Sequence, residues 1–101
     1  MSQFAMYGKF KAHPGKGGEL AQILLEAAEA SKADEGCQFY IVNAAEDDPD
    51  TIWVTELWRD AEAHAAALKN EGAQAMIKRA MPLIASVEPV KLRPLGGKGL
   101  E

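Results

Sequence analysis

Five side chains of this sequence have types and positions that can do chemistry: Tyr40, Glu56, Trp58, His64 and Arg79. Glu56 interrupts the segment Thr51 to Arg59, which is otherwise rich in β-branched and aromatic residues. A carboxyl in such surroundings loses water, its proton affinity rises, and it becomes a candidate general base near neutral pH. Trp58 follows two residues later, on the same face of an extended chain, where its ring can stack on an aromatic substrate. Tyr40 can orient a phenolic oxygen or relay a proton. His64 exchanges a proton near neutrality without any tuning, and Arg79 can hold an anionic group. Each also has a plainer reading. Glu56 can be hydrogen-bonded to Tyr40 or paired with Arg79 for structure, the two aromatics can be core, His64 can be a satisfied or exposed histidine on an Ala-rich helix, and Arg79 can belong to a surface ion pair.

Other signals are weaker. Gly15-Lys16-Gly17-Gly18 precedes a helical stretch as an anion-binding nest would, but it lacks the spacing of a phosphate loop and reads as a turn. Cys37 is the single cysteine, so no internal disulfide forms; with no cation beside it in sequence, it reads as a structural thiol. His13 and His64 stand too far apart for a zinc-type ligand spacing, and neither a metal nor another cofactor is expected.

The elements that must position these residues follow from periodicity. Phe4 to Ala12 alternates and reads as a strand, with a turn at His13 to Gly18. From Glu19, Leu20, Ile23, Leu24, Ala27 and Ala28 recur at helical spacing, and Gly36 is expected to close this helix in a left-handed cap. Cys37 to Ala45 and Thr51 to Arg59 read as a hairpin about the turn Glu46 to Asp50. If it closes antiparallel, residue numbers summing to about 96 face each other, so Tyr40 lies opposite Glu56 and Val42 opposite Val54. Asp60 caps a helix through Leu68, Gly72 is expected to break it, and a second piece of about Ala73 to Met81 stops at Pro82. A last strand is expected over Val87 to Leu95, where Pro89 and Pro94 suit a sheet edge.

The order strand, helix, strand, strand, helix, strand predicts an α+β fold: a ferredoxin-like split βαβ arrangement with an antiparallel sheet and helices on one face. Residues 1–95 form a single domain in this reading, and 96–101 a glycine-rich tail. The chain has 101 residues and a net charge of −4, and 18 of its apolar residues are Ala, so the core is thin. The strands carry apolar residues on both sides, which predicts a homodimer that pairs the uncovered sheet faces. Interspersed charges and an acidic balance exclude a footprint for nucleic acid or an anionic membrane. Without an apolar run of spanning length or a leader-like start, a cytoplasmic location is expected.

Glu35-Gly36-Cys37, Tyr40, Glu56-Leu57-Trp58 and Asp60-Ala61-Glu62-Ala63, in that order and spacing, resemble the antibiotic biosynthesis monooxygenase (ABM) family over roughly residues 4 to 92. The resemblance implies a dimeric ferredoxin-like α/β barrel and, by likeness to quinol monooxygenases, cofactor-independent oxidation of a small aromatic quinol or polyphenol by dioxygen. Glu56, Tyr40 and His64 would then be catalytic, and Trp58 and Arg79 would bind substrate. Two departures bear on activity. Many quinol-oxidising relatives carry histidines where this chain has Ala67 and Gly72, and the first strand lacks the Asn of the haem-degrading branch. The alternative is a non-catalytic dimeric module that binds a small aromatic metabolite.

Overall fold

The computed structural model describes residues 3–100. Its elements run β1 (Phe4–Ala12), α1 (Gly17–Ser31), β2 (Cys37–Ala45), β3 (Asp48–Trp58), α2 (Ala61–Leu68), α3 (Glu71–Ala80), a single 3-10 turn (Met81–Leu83) and β4 (Ile84–Leu92). The four strands form one antiparallel sheet in the order β2-β3-β1-β4, the split βαβ arrangement expected from the sequence. The hairpin register is the one predicted from Phe39 to Ala44, with Tyr40 opposite Glu56 and Val42 opposite Val54, but β3 begins at Asp48, inside the expected turn, and the ladder shifts at Cys37/Phe39 and at Ala44/Ala45.

Alternation divides each strand between two faces. Phe10, Ile52 and Val54 face the helices, where Leu20, Ile23 and Leu24 of α1 and Ala80 of α3 meet them. Leu20, Ile52 and Val54 are the fully buried side chains at its centre, each contributing about 1.5–3 kcal/mol by leaving water. The small volume of Ala12 and Ala80 lets helix and sheet approach closely around them.

Four further expectations need correction. First, α1 begins at Gly17, two residues early, because the Asp50 carboxylate accepts the N–H groups of Gly15 at 3.1 Å and Gly17 at 2.9 Å. The chain's own carboxylate therefore occupies the nest, and a Cβ at position 17 would lie 2.0 Å from the Pro49 carbonyl oxygen. Second, α1 ends at Ser31 with a right-handed cap at Lys32, and Gly36 is not left-handed. Gly36 matters for a different reason: a Cβ there would come within 2.8 Å of the Ala63 Cβ, so its bareness lets α2 settle onto the start of β2. Third, the break between the last two helices falls at Lys69–Asn70. The Asn70 side chain accepts the Gly72 N–H at 2.7 Å, placing Gly72 inside the first turn of α3. Fourth, β4 runs from Ile84 to Leu92 and not from Val87 to Leu95, because the Met81–Leu83 turn reverses the chain in three residues and the His13 N–H bonds the Leu83 carbonyl at 2.9 Å. β4 is an edge strand, as its prolines require, with Pro89 inside it and Pro94 beyond. Glu101 lies outside the described residues.

Candidate active site

The register aligns one row of side chains across all four strands on the helix-facing side: Tyr40 on β2, Glu56 on β3, Met6 on β1 and Lys91 on β4. The neighbouring row toward the core, Val42, Val54, Gly8 and Pro89, has no polar side chain. On the other side stand Trp58 and Phe4, paired between β3 and β1. A polar row thus runs between an apolar and an aromatic one.

α2 brings the last component. Its cap is the Asp60 carboxylate, which accepts the Ala63 N–H at 2.8 Å and fixes where the helix begins. One residue later His64 turns down onto the sheet, its ring 4.9 Å from Phe4 and 5.5 Å, edge-on, from Trp58. Its Nε2 comes within 3.8 Å of Glu56 Oε1, too long for a hydrogen bond. The same Oε1 accepts the Trp58 indole N–H at 2.9 Å. Glu56, Trp58 and His64 are all buried.

Burial sets the protonation states. It pushes the Glu56 carboxyl above its ordinary range, against the opposing pull of the Trp58 N–H. It also holds His64 below its usual value, helped by the Lys91 cation, so the imidazole is neutral near pH 7 and able to accept a proton. Tyr40 is pushed well up by burial and then by the Glu56 charge, so it remains a hydroxyl. It packs against the core and lines a cleft of about 430 Å3 between the end of α1 and β2. Cys37 lines the same cleft; burial raises its thiol, in keeping with a structural role.

The residues singled out from the sequence divide accordingly. Tyr40, Glu56, Trp58 and His64 share one side of the sheet, three of them in mutual contact. Arg79 does not join them: its guanidinium makes a two-pronged pair with Glu26 of α1, at 2.7 and 3.2 Å, at an exposed site between helices. That is the plainer of its two readings, and α3's geometry decides it. Glu56 is hydrogen-bonded neither by Tyr40 nor by Arg79 but by Trp58, with His64 as its neighbour at 3.8 Å. Phe4 and Lys91 were not anticipated. Phe4 had a signal in the alternation of β1, whereas Lys91 reaches the site only through pairing of β4 with β1. Among the described residues no group of histidine, cysteine or carboxylate side chains could hold a metal ion. No helix among them is long and apolar enough to cross a membrane.

The opposite face of the same strands is open. Tyr7, Phe39, Ile41, Trp53, Val90 and Leu92 stand between 37% and 49% exposed there. A cleft of about 530 Å3 lies between this face and the segment after β4, walled by Tyr7, Ile41, Thr55, Leu57, Leu92 and Pro94. Glu56 borders it, but its carboxyl is engaged on the other side by Trp58 and His64.

Comparison with known proteins agrees with this architecture. No functionally curated protein matches the chain significantly. A proposed antibiotic biosynthesis monooxygenase from Chloroflexus aurantiacus is 38% identical, with 99% of this chain and 100% of that one covered and a TM-score of 0.87. Two further proposed members share the fold at lower identity. The Caulobacter crescentus structure has 20% identity, coverage of 94% and 92%, and a TM-score of 0.87. The Nitrosomonas europaea structure has 14% identity, coverage of 96% and 94%, and a TM-score of 0.88. The family model of the antibiotic biosynthesis monooxygenases matches residues 3–79, which include β1 through most of α3. With that match, and with this sheet and helix arrangement, the chain belongs to the antibiotic biosynthesis monooxygenase family.

Proposed function

We propose that this protein is a cofactor-independent monooxygenase that oxidises a small aromatic quinol or polyphenol with dioxygen. The observation that carries the reading is the buried contact of Glu56, Trp58 and His64 on an aromatic-lined stretch of sheet. An electron-rich phenol reacts with dioxygen once it is deprotonated, so the protein must supply a base, a partner for the oxyanion and a dry enclosure.

Glu56, with its raised proton affinity, takes the phenolic proton, and neutral His64 alongside passes it on. The phenolate gives one electron to dioxygen, and the resulting radical pair combines to form a carbon–oxygen bond on the ring. The oxygen–oxygen bond then breaks: one oxygen atom stays on the ring as the new carbonyl, and the other leaves as water with the ring hydrogen and the returned proton. A quinol and one dioxygen thereby give a hydroxyquinone and one water. Tyr40 keeps its proton and donates a hydrogen bond to the phenolic oxygen, and Trp58 stacks on the ring. The working unit in this reading is a homodimer joined through the open sheet face.

Ala67 and Gly72, where many quinol-oxidising relatives have histidine, favour a second reading in which the same site binds an aromatic metabolite without turnover. Oxygen uptake decides between them. The test measures consumption by metal-free protein over a panel of quinols and polyphenols, comparing wild type with Glu56→Gln and Tyr40→Phe. Turnover that falls about tenfold or more in Glu56→Gln, with folding intact, supports the enzyme. Ligand-induced thermal stabilisation with no oxygen uptake above autoxidation supports the binder.

A further inference from the structure

His64 is seated by rings and not by polar contacts. α2 has eight residues and buries only Ala63 and His64, so the helix grips the sheet lightly. The imidazole makes no hydrogen bond among the described residues, and its Nε2 stops 3.8 Å from Glu56 Oε1. It rests on Phe4, at 4.9 Å between centroids and 34° between planes, and on Trp58, met edge-on at 5.5 Å. Trp58 already serves Glu56 through its indole N–H. Phe4 is the ring without a task. It faces Trp58 in the ladder of β1 and β3, it is half-buried, and it stands outside the cluster centred on Leu20, Ile52 and Val54. The ring it meets is His64.

We propose that Phe4 is a positioning residue, forming with Trp58 a two-ring seat that fixes the His64 imidazole beside the Glu56 carboxyl. Its part in catalysis rests on the functional reading above and extends that reading to a residue acting through His64. A flat ring lying against the imidazole limits its tilt and keeps water from one of its faces. A leucine in its place frees the imidazole to tip toward water or onto Glu56, and either change favours the imidazolium. The titratable groups facing the ring are Glu56 on β3, with Tyr40 beyond it on β2, and Lys91 on β4. β1 adds Met6 to that row, and on α2 the Asp60 carboxylate is taken by the Ala63 N–H. Replacing Phe4 alters none of these groups.

Titration of the imidazole protons of the whole protein by NMR tests the seat, with His64 told apart from His13 by its loss in His64→Leu. The variants are Phe4→Leu, Phe4→Tyr, which keeps the ring, and Phe10→Leu, which removes a ring packed on the core from the same strand. Wild-type His64 titrates below its ordinary 6.5. The midpoint should rise in Phe4→Leu and stay in Phe4→Tyr. It should also stay in Phe10→Leu, although that variant unfolds at a lower temperature. With a quinol that wild type turns over, Phe4→Leu should lower kcat about fivefold or more at nearly constant KM, and the acid limb of kcat should move up with the midpoint. An unmoved midpoint in Phe4→Leu, an equal rise in Phe4→Tyr or Phe10→Leu, or a loss confined to KM would each overturn the proposal. So would a Phe4→Leu chain that fails to fold, since that makes Phe4 a core residue. If no quinol turns over in wild type, the functional reading falls, and the midpoint still decides the seat.

Discussion

The two faces of the sheet are built from the same strands and the same alternation, yet they solve different problems. On the covered face Trp58 is 4% exposed and its indole N–H is satisfied by Glu56. On the open face Trp53 is 37% exposed, with Lys9 Nζ 5.6 Å from the ring centroid. Equivalent residue types, five positions apart on one strand, therefore end in opposite environments. The difference teaches that helices alone complete one side of this fold, and that their cover creates the low-dielectric space in which Glu56 and His64 acquire useful protonation states. The open side has the apolar character of an interface and, in the homodimer we propose, a second copy supplies its cover.

The contrast is most strongly tested by removing the two rings in turn. Trp58→Ala should cost about 3–5 kcal/mol in urea unfolding, the usual loss for a buried large aromatic. Trp53→Ala should cost under about 1 kcal/mol within one chain, and its larger effect should appear only as a dependence of unfolding on protein concentration. Equal losses at both positions, independent of concentration, would erase the distinction between the faces.

A charge on the open face is the next largest effect. Ile41→Glu should leave the circular dichroism of the fold unchanged while weakening self-association about tenfold or more, as read by analytical ultracentrifugation. Wild type that sediments as a monomer at micromolar concentration would break the proposed pairing.

Protonation sharpens the comparison further. The folded Glu56 carboxyl titrates above its ordinary 4.5, so the folded state binds more protons than the unfolded one as pH rises past that value. Stability is lost through that window and the cost is complete above the folded value. Glu56→Gln should therefore be more stable than wild type at pH 8, with the gain vanishing by pH 4. His64 has the opposite sign. Its folded value lies below the ordinary 6.5, so the unfolded state binds the extra proton and stability falls as pH drops through that range. His64→Leu should flatten this acid-side loss in thermal unfolding.

Arg79→Ala should do least, leaving urea unfolding close to that of wild type, since it opens only the exposed pair with Glu26, and ligand binding should be unaffected. A larger loss of binding would return Arg79 to the site.

How much of this was legible beforehand differs by element. The middle of the hairpin register could be read from the alternation of apolar residues on its two strands, whereas the shift between Ala44 and Ala45 beside the turn could not. That register put Tyr40 opposite Glu56. The start of α1 could not be read, because Asp50, far along the sequence, captures the Gly15 and Gly17 N–H groups. The role of Gly36 is set by the same kind of distant contact: what requires a bare Cα there is Ala63 of α2. The site showed the same division. Glu56 and Trp58 are neighbours on one strand, so their contact is local; the approach of His64 depends on how α2 lies over the sheet.

The alternation of the strands, the hairpin, the Asp60 cap and hence the split βαβ order follow from local sequence, because each rests on interactions among residues close along the chain. Which groups meet was settled by long-range packing. It set His64 against Glu56, turned Arg79 outward to Glu26 and brought Lys91 into line with Glu56 through β1. Those juxtapositions depend on the order of strands and the seating of helices, which long-range packing fixes and local pattern does not.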